Sequence, residues 1–311
     1  MKEIHLTYEA PDSEVDQLES TLLDDNSYDD VISDDCRVYK PNGELLLVFI
    51  KKGISFQAGK NAYDTLRKIP AGSGLNNRGI AVDKKETQAD TITLDGKASK
   101  TTSTNGYKIE RFRRLGTAAA IMGYYDRYTR IPYCRLTSFN EHNMDGFQLC
   151  YPLIKRVDDL YAEHVPEKYQ LQRAEADRTS KDFVIRDTSY TTVTVNKNWQ
   201  TAVHKDAGDF EQGFGNITCL RAGNYRGGLT VFPKYRVAVD LGSCDVVMMD
   251  VHEWHGNTVL RGKFKQFTRI SLVCYYRSNM IKCGTMQQEI ERAKRNGGKG
   301  MDIDLSSIHS K

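Results

Sequence analysis

The sequence predicts an α+β fold, in which a layer of helices supports an antiparallel β-core within one domain. Residues 146–165 repeat apolar side chains at intervals of three and four, which is typical of a helix with one buried face. Residues 183–276 consist of short β-branched segments separated by glycines, which favours a β-sandwich or barrel. The chain of 311 residues is long enough for one such large domain.

The elements that precede the helical layer are predicted from local patterns. Residues 3–10 alternate like a strand, and 12–23 have the pattern of a helix that is capped by Asp12. CRVYK and ELLLVFIKK (36–40 and 44–52) form a predicted hairpin, with PNG as its turn.

Helices and one polar segment are predicted next. Residues 62–69 have a helical pattern, and 83–106 are rich in Thr, Lys, Ser and Asp, which indicates a loop or insert. GTAAAIMGYYDR (116–127) is interpreted as a buried helix. The helix over 146–165 is the strongest prediction, with apolar positions at Leu149, Leu153, Ile154, Val157, Leu160 and Tyr161.

Seven strands are predicted in the β-core, which is expected to span about residues 183–277. Their segments are TTVTVN, TAVHKD, NITCLRAG, GGLTVFP, RVAVDLG, DVVMMDVHEW and TRISLVCYY. Three regions are expected: an acidic arm (1–35) packed on or beside the domain, the domain itself (36–282), and a basic helix and tail (283–311).

Charge is divided unevenly along the chain. Residues 1–35 hold twelve acids and one lysine, a net charge of −11, whereas residues 36–311 carry a net +14. A basic body suits a polyanionic partner, although a solvated surface explains the same surplus. RFRR (111–114) and GKFK (262–265) are candidate phosphate contacts with the same alternative explanation.

Seven scattered cysteines form no CxxC motif, which predicts reduced thiols in a cytoplasmic or nuclear compartment. The longest apolar run, LLLVFI, is far too short to span a membrane, and no secretory signal is visible at the N-terminus. No membrane partner and no obligate protein partner are therefore expected.

A histidine and a carboxylate are the first candidate site residues, in the segment VHKDAGD. His204 and Asp206 would share one face of an extended strand. DVHEWHGNT supplies His252 and His255, and a jelly-roll would bring one of them alongside the first pair. Two histidines and one carboxylate with open positions are the ligands that non-haem Fe(II) oxygenases use. A hydrogen-bonded core pair is the alternative.

Arg269 and Ser271 follow at i and i+2 in TRISLV, on one face of the next predicted strand. A guanidinium pairs bidentately with a carboxylate, so these residues would hold the distal carboxylate of 2-oxoglutarate while its keto acid end chelates iron. A core salt bridge is the alternative for Arg269.

Several long segments resemble the TET/JBP family, the ten-eleven translocation and J-binding-protein dioxygenases. The resemblance runs from about Cys36 to Arg277, and its segments are VHKDAGDFEQGFGNITCL, GGLTVFPKYRVAVDLGSCDVVMMDVHEWHGNT, FTRISLVCYYR, ELLLVFIKKGIS and NNRG. It implies a double-stranded β-helix (jelly-roll) core that uses Fe(II), 2-oxoglutarate and O2 to oxidise the 5-methyl group of a pyrimidine in DNA. The chain is most similar to stand-alone viral or microbial members.

The resemblance also assigns roles to individual residues. His204, Asp206 and His255 match the family's iron ligands, with HGNT favouring His255 over His252. Arg269, with Ser271, matches the 2-oxoglutarate arginine, and Arg78 in NNRG matches a second co-substrate arginine. Tyr275 matches the aromatic residue that lies against the flipped base.

Base choice is where the chain departs from the TET branch. Asp209 and Arg277 stand where that branch has other polar residues. Asp209 would accept from the thymine N3–H group and Arg277 would donate to a carbonyl, so thymine is favoured over 5-methylcytosine. For Asp209, a plain turn position in AGDF is the alternative.

Two other functional classes remain open from the sequence. One is a 2-oxoglutarate oxygenase that acts on a free nucleobase, a small metabolite or a protein side chain. The other is a catalytically silent DNA-binding relative or a cupin-like metal protein, which would release no succinate.

Overall fold

The computed structural model describes residues 1–73, 98–102, 108–112, 117–263 and 265–296. Nine strands of this part of the chain form the main sheet, in the order β1-β3-β4-β13-β10-β15-β9-β7-β8. They are β1 (Lys2–His5), β3 (Cys36–Tyr39), β4 (Leu45–Ile50), β7 (Ala118–Tyr125), β8 (Arg135–Leu136), β9 (Thr192–Lys197), β10 (Gly215–Gly223), β13 (Val246–Met249) and β15 (Phe267–Tyr275).

A smaller sheet packs against the main one, in the order β14-β11-β12-β2. Its strands are β2 (Asp30–Ile32), β11 (Thr230–Phe232), β12 (Val237–Val239) and β14 (Gly256–Asn257). Strands β5 (Ala98–Thr102) and β6 (Lys108–Phe112) form a separate antiparallel pair. The two packed sheets form the jelly-roll that the sequence predicts, so the predicted fold class is confirmed.

Helices cover the other face of the main sheet. In chain order the helices are α1 (Asp12–Val15), α2 (Phe56–Leu66), α3 (Ser138–His142), α4 (Met144–His164), α5 (Pro166–Arg178) and α6 (Met286–Arg295), with short 3-10 turns at Asp16–Leu18, Lys181–Phe183, Pro233–Tyr235 and Ser278–Lys282. The strongest predicted helix, α4, is confirmed, and the predicted C-terminal helix is α6, whose Thr285 and Gln288 form a capping box. In the described residues, no helix is both long and apolar enough to cross a membrane.

Side chains of strand β15 alternate between the hydrophobic core and the candidate site. Ile270, Leu272 and Cys274 are buried in the cluster that joins the main sheet to the helices. Arg269 and Ser271 point the other way and line a cavity. Because side chains alternate along a strand, one run of sequence supplies both the core and the site.

The segment 116–127, predicted as a buried helix, is strand β7, and that prediction was wrong. Its residues Ala118–Gly123 pair antiparallel with Thr192–Lys197 of β9. Alanines favour a helix locally, but pairing between strands distant in sequence overrides that preference. Gly123 also has φ +87°, which is incompatible with a helix.

Gly123→Ala is expected to lower the free energy of unfolding by about 3 kcal/mol or more, which denaturant titration measures. A Cβ there would lie 2.5 Å from the Thr191 carbonyl oxygen, in addition to the left-handed backbone strain. Gly43→Ala is the matched control, because Gly43 has φ +86° but nothing within 4 Å of its Cβ position. Equal losses in the two variants would contradict the packing argument.

Other local predictions also need correction. The segment 12–23 is helical only over α1 and the following turn, and Asp12 is its first residue while Pro11 is the cap. The polar segment 83–106 contains strand β5, and the rest of it lies outside the described residues. Leu149 is half exposed on α4, because it falls beside the buried stripe of that helix.

Residues 1–35 are held on the rest of the chain by backbone pairing as well as by charge. Strand β1 pairs with β3 and β2 pairs with β12, both in parallel. Nζ of Lys234 lies 2.7 Å from the Asp12 carboxylate. Ser20 N–H donates to the Val203 carbonyl oxygen at 2.8 Å, which places the arm against the segment that leads to His204.

The prediction of reduced cysteines is wrong for two of them. Cys134 and Cys283 form a disulfide that joins the β7–β8 loop region to the segment before α6. They are 149 residues apart, so no local spacing pattern signals the pair. The other five cysteines are free, and four of these are buried.

Candidate active site

Three side chains converge between the two sheets: His204, Asp206 and His255. Their ligand atoms all lie within 4.8 Å of one another. Backbone pairing produces this approach, because His204 and His255 exchange N–H···O bonds of 2.9 and 3.0 Å. Residues 201–206, predicted as a strand, form only this isolated bridge at His204. Nε2 of His204 nevertheless lies 3.2 Å from Oδ1 of Asp206.

Backbone carbonyls orient both imidazoles. Nδ1 of His204 lies 2.9 Å from the Ala202 carbonyl oxygen, and Nδ1 of His255 lies 2.9 Å from that of Glu253. If each Nδ1–H donates to its carbonyl, each Nε2 keeps its lone pair for a metal. Burial and the neighbouring His204 lower the pKa of His255 to about 4, so its imidazole is neutral at neutral pH. Two imidazole Nε2 atoms and one carboxylate fit Fe(II) with open positions.

His252, the alternative third ligand, is directed elsewhere. Its Nδ1 lies 3.5 Å from Oδ1 of Asp250, and its backbone N–H donates to the same carboxylate. Nζ of Lys40 lies 2.9 Å from that carboxylate and 2.7 Å from Glu253. This cluster supports the turn that carries His255, so the geometry favours His255 as the ligand.

Arg269, near the start of β15, lines a cavity of about 350 Å³ that His204, Asp206 and His255 also line. Its side chain is almost fully buried, and its Nε atom has no hydrogen-bond partner in the described residues. Its backbone is held by Asn198, which donates to its carbonyl oxygen at 2.7 Å and accepts its N–H at 2.8 Å. Among the described residues no carboxylate forms an ion pair with Arg269, and a buried cation of this kind is suited to an anionic ligand.

A glycine makes room for this arginine. Gly228 has φ +73°, and a Cβ there would lie 3.1 Å from Nε of Arg269. Ser271 follows on the same face of β15 and lines the same cavity. Arg269 and Ser271 thus line one cavity from the same strand face, and their role in binding the co-substrate stays a prediction.

Asp209, Tyr275 and Arg277 line the same cavity around the C-terminal end of β15. Asp209 and Arg277 are paired through an antiparallel backbone bridge, and Nη2 of Arg277 lies 2.9 Å from Oδ1 of Asp126. The Tyr275 hydroxyl lies 3.2 Å from that of Thr194. Burial and the nearby Asp206 raise the pKa of Asp209 well above its usual range, while Arg277 opposes the shift.

Sequence reasoning missed three polar residues at this site: Asn196, Trp199 and Asp126. Asn196 and Trp199 line the cavity, and each has a buried polar atom without a partner in the described residues. Asp126 lay inside the wrongly predicted helix, so its pairing with Arg277 was hidden. For Asn196, the alternating pattern of the segment TTVTVN was the available signal, because it places Asn196 on one face of a strand.

Several predicted contacts lie outside the described residues. Arg78, the expected second co-substrate arginine, is one of them. RFRR (111–114) reaches into residues that the structure does not describe, and so does GKFK (262–265) at Phe264.

A jelly-roll that holds two histidines, a carboxylate and a buried arginine between its sheets defines the class of Fe(II)- and 2-oxoglutarate-dependent dioxygenases. A family model, Tet_JBP, described as the oxygenase domain of the 2OGFeDO superfamily, matches residues 120–278. The chain therefore belongs to the TET/JBP family, as its sequence predicts. The enzyme's cofactor is Fe(II), and its co-substrates are 2-oxoglutarate and O2.

Curated relatives match the same part of the chain. The bifunctional helicase and thymine dioxygenase JBP2 of Trypanosoma brucei brucei (strain 927/4 GUTat10.1) is 38% identical over 181 residues, which are 56% of this chain and 16% of that protein. Thymine dioxygenase JBP1 of Trypanosoma brucei brucei is 30% identical over 207 residues, 64% of this chain and 24% of that protein. The chain thus spans a quarter or less of the length of these relatives.

A solved structure shares the fold. NgTET1 in complex with 5mC DNA superposes with a TM-score of 0.56, covering 92% of this chain and 100% of that one. Sequence identity is 10%, so this similarity concerns the fold alone.

Proposed function

We propose that this protein hydroxylates the 5-methyl group of a pyrimidine in DNA, with thymine favoured and 5-methylcytosine next. The observation that carries the proposal is the cavity itself. It is lined by the candidate iron ligands, by Arg269 and Ser271 near the start of β15, and by Asp209, Tyr275 and Arg277 around the C-terminal end of that strand. A DNA substrate would place the activity in the nucleus or the cytoplasm.

Iron with 2-oxoglutarate and O2 supplies the oxidation of a C–H bond when bound. The protein's own residues position the methyl group and exclude water. A cavity of about 350 Å³ lies in the size range of pockets that enclose one small ligand. A base inside a duplex would not fit there, so the target must be single-stranded or flipped out.

Base choice depends on the polar groups around Tyr275. Ionised Asp209 accepts from the N3–H group of thymine, and Arg277 donates to a carbonyl oxygen while Asp126 holds its guanidinium. Burial and Asp206 raise the pKa of Asp209 and favour its protonated form, which would donate to N3 of cytosine; a metal ion held by Asp206 would offset the charge of that carboxylate and favour ionised Asp209. The names of the relatives, which are thymine dioxygenases, support thymine.

Asp209→Asn is expected to shift the ratio of thymine to 5-methylcytosine oxidation toward 5-methylcytosine by about tenfold. An amide offers both a donor and an acceptor, so it matches the N3 atom and the amino group of cytosine. Competition between the two bases in one DNA, followed by nucleoside mass spectrometry, measures the ratio. Glu211→Gln, an exposed change in the same loop, is the control. An unchanged ratio would remove Asp209 from base recognition.

The proposed function is tested by incubating the protein with Fe(II), 2-oxoglutarate, ascorbate and DNA that contains both bases. A 5-hydroxymethyluracil peak supports the proposal in full, and 5-hydroxymethylcytosine alone contradicts the preference for thymine. Succinate release that DNA does not stimulate, with neither product, would instead indicate a free nucleobase, a metabolite or a protein side chain as substrate. Binding of DNA without succinate would indicate a silent relative.

A further inference from the structure

Two residues that line the cavity carry a buried N–H donor with no acceptor among the residues that the structure describes. One is Nε of Arg269, and the other is Nε1 of Trp199. Both residues are almost fully buried, and Trp199 is only 6% exposed. A buried donor without an acceptor is energetically unfavourable, so two of them at one cavity indicate an anionic or carbonyl ligand that satisfies both.

Strand register places Trp199 at the Arg269 end of the cavity. Asn196 of β9 stands directly opposite Ser271 of β15. Asn198 then bonds to both backbone groups of Arg269 and has φ +50°, so the chain turns there. Trp199 follows this turn at once and lines the cavity. Tyr275, at the base-binding end, lies four residues beyond Ser271, which is about 13 Å along a strand.

We propose that the Trp199 indole N–H donates to the distal carboxylate of 2-oxoglutarate, beside the Arg269 guanidinium and the Ser271 hydroxyl. Because an indole N–H can only donate a hydrogen bond, it can bind a carboxylate oxygen but cannot bind a cation or another donor. Trp199 is thereby a binding and specificity residue for the dicarboxylic co-substrate. Asn196, opposite Ser271, adds a polar amide to the same wall.

Trp199→Phe tests the proposal, because it removes the N–H group and keeps a buried aromatic ring. Calorimetric titration of the Mn(II)-loaded protein without O2 is expected to show 2-oxoglutarate binding weakened by about 10- to 100-fold. Trp254→Phe is the matched control at the only other tryptophan of the chain. Its N–H donates to Asp16 at 2.8 Å, outside the cavity, so 2-oxoglutarate affinity should stay unchanged.

A truncated ligand separates this contact from a general loss of structure. 2-Oxobutyrate keeps the keto acid end and lacks the distal carboxylate, so Trp199→Phe should leave its affinity unchanged. The thermal midpoint of the apo protein should not fall, because the change deletes an unsatisfied buried donor. Unchanged 2-oxoglutarate affinity, or equal weakening of both ligands, would overturn the proposal. None of these readouts depends on DNA, so they stand apart from the test of the proposed function.

Discussion

Asp206→Ala is expected to reduce 2-oxoglutarate turnover to background and to abolish tight Fe(II) binding, while the protein remains folded. The carboxylate supplies the anionic ligand of the three, and two imidazoles alone leave the metal weakly held. Its side chain is a quarter exposed, so its removal creates no cavity in the core. Succinate release and anaerobic metal titration measure the two effects, and His204→Ala should behave in the same way.

His252→Ala is the matched control for this prediction. It removes an imidazole that lies three residues before His255 in the sequence. The His252 imidazole pairs with Asp250 and is not one of the three candidate ligands. Turnover and metal affinity are expected to change far less than in Asp206→Ala. Full activity of Asp206→Ala, or background activity of His252→Ala with the fold intact, would overturn the assignment of His204, Asp206 and His255.

Arg269→Lys is expected to raise the concentration of 2-oxoglutarate needed for half-maximal turnover on the order of a hundredfold. A lysine keeps the positive charge but replaces a planar fork with a single point of contact, so one of two hydrogen bonds to the carboxylate is lost. Steady-state kinetics at varied 2-oxoglutarate, with direct titration of binding, measure the effect. Fe(II) affinity should stay the same, because the guanidinium is not a ligand.

Arg221→Lys provides the comparison for that experiment. Arg221 is the direct neighbour of Arg269 across β10 and β15, but it pairs with Asp240 and does not line the cavity. The same chemical change on the adjacent strand should therefore leave the 2-oxoglutarate requirement nearly unchanged. Equal requirements in the two variants would remove Arg269 from the co-substrate site.

Local patterns were sufficient for much of the fold. The apolar stripe of 146–165 predicts α4, and the turn PNG predicts the β3–β4 hairpin, because both depend on neighbours within a few residues. Strand β7 was not predictable in that way. Its alanines favour a helix, and only the partner β9, about seventy residues later, makes it a strand.

Some features of the candidate site were likewise predictable from the sequence, whereas others depended on the tertiary structure. By itself, the sequence determined the class of chemistry, since His204, Asp206, His255 and Arg269 have a distinctive order and spacing. Only the tertiary structure decided how closely His255 approaches the pair, which cysteines meet, and that Trp199 lines the same cavity as Arg269. The physical reason is that ligand types and spacings are written along the chain, whereas approach and burial arise from strand pairing between residues far apart in it.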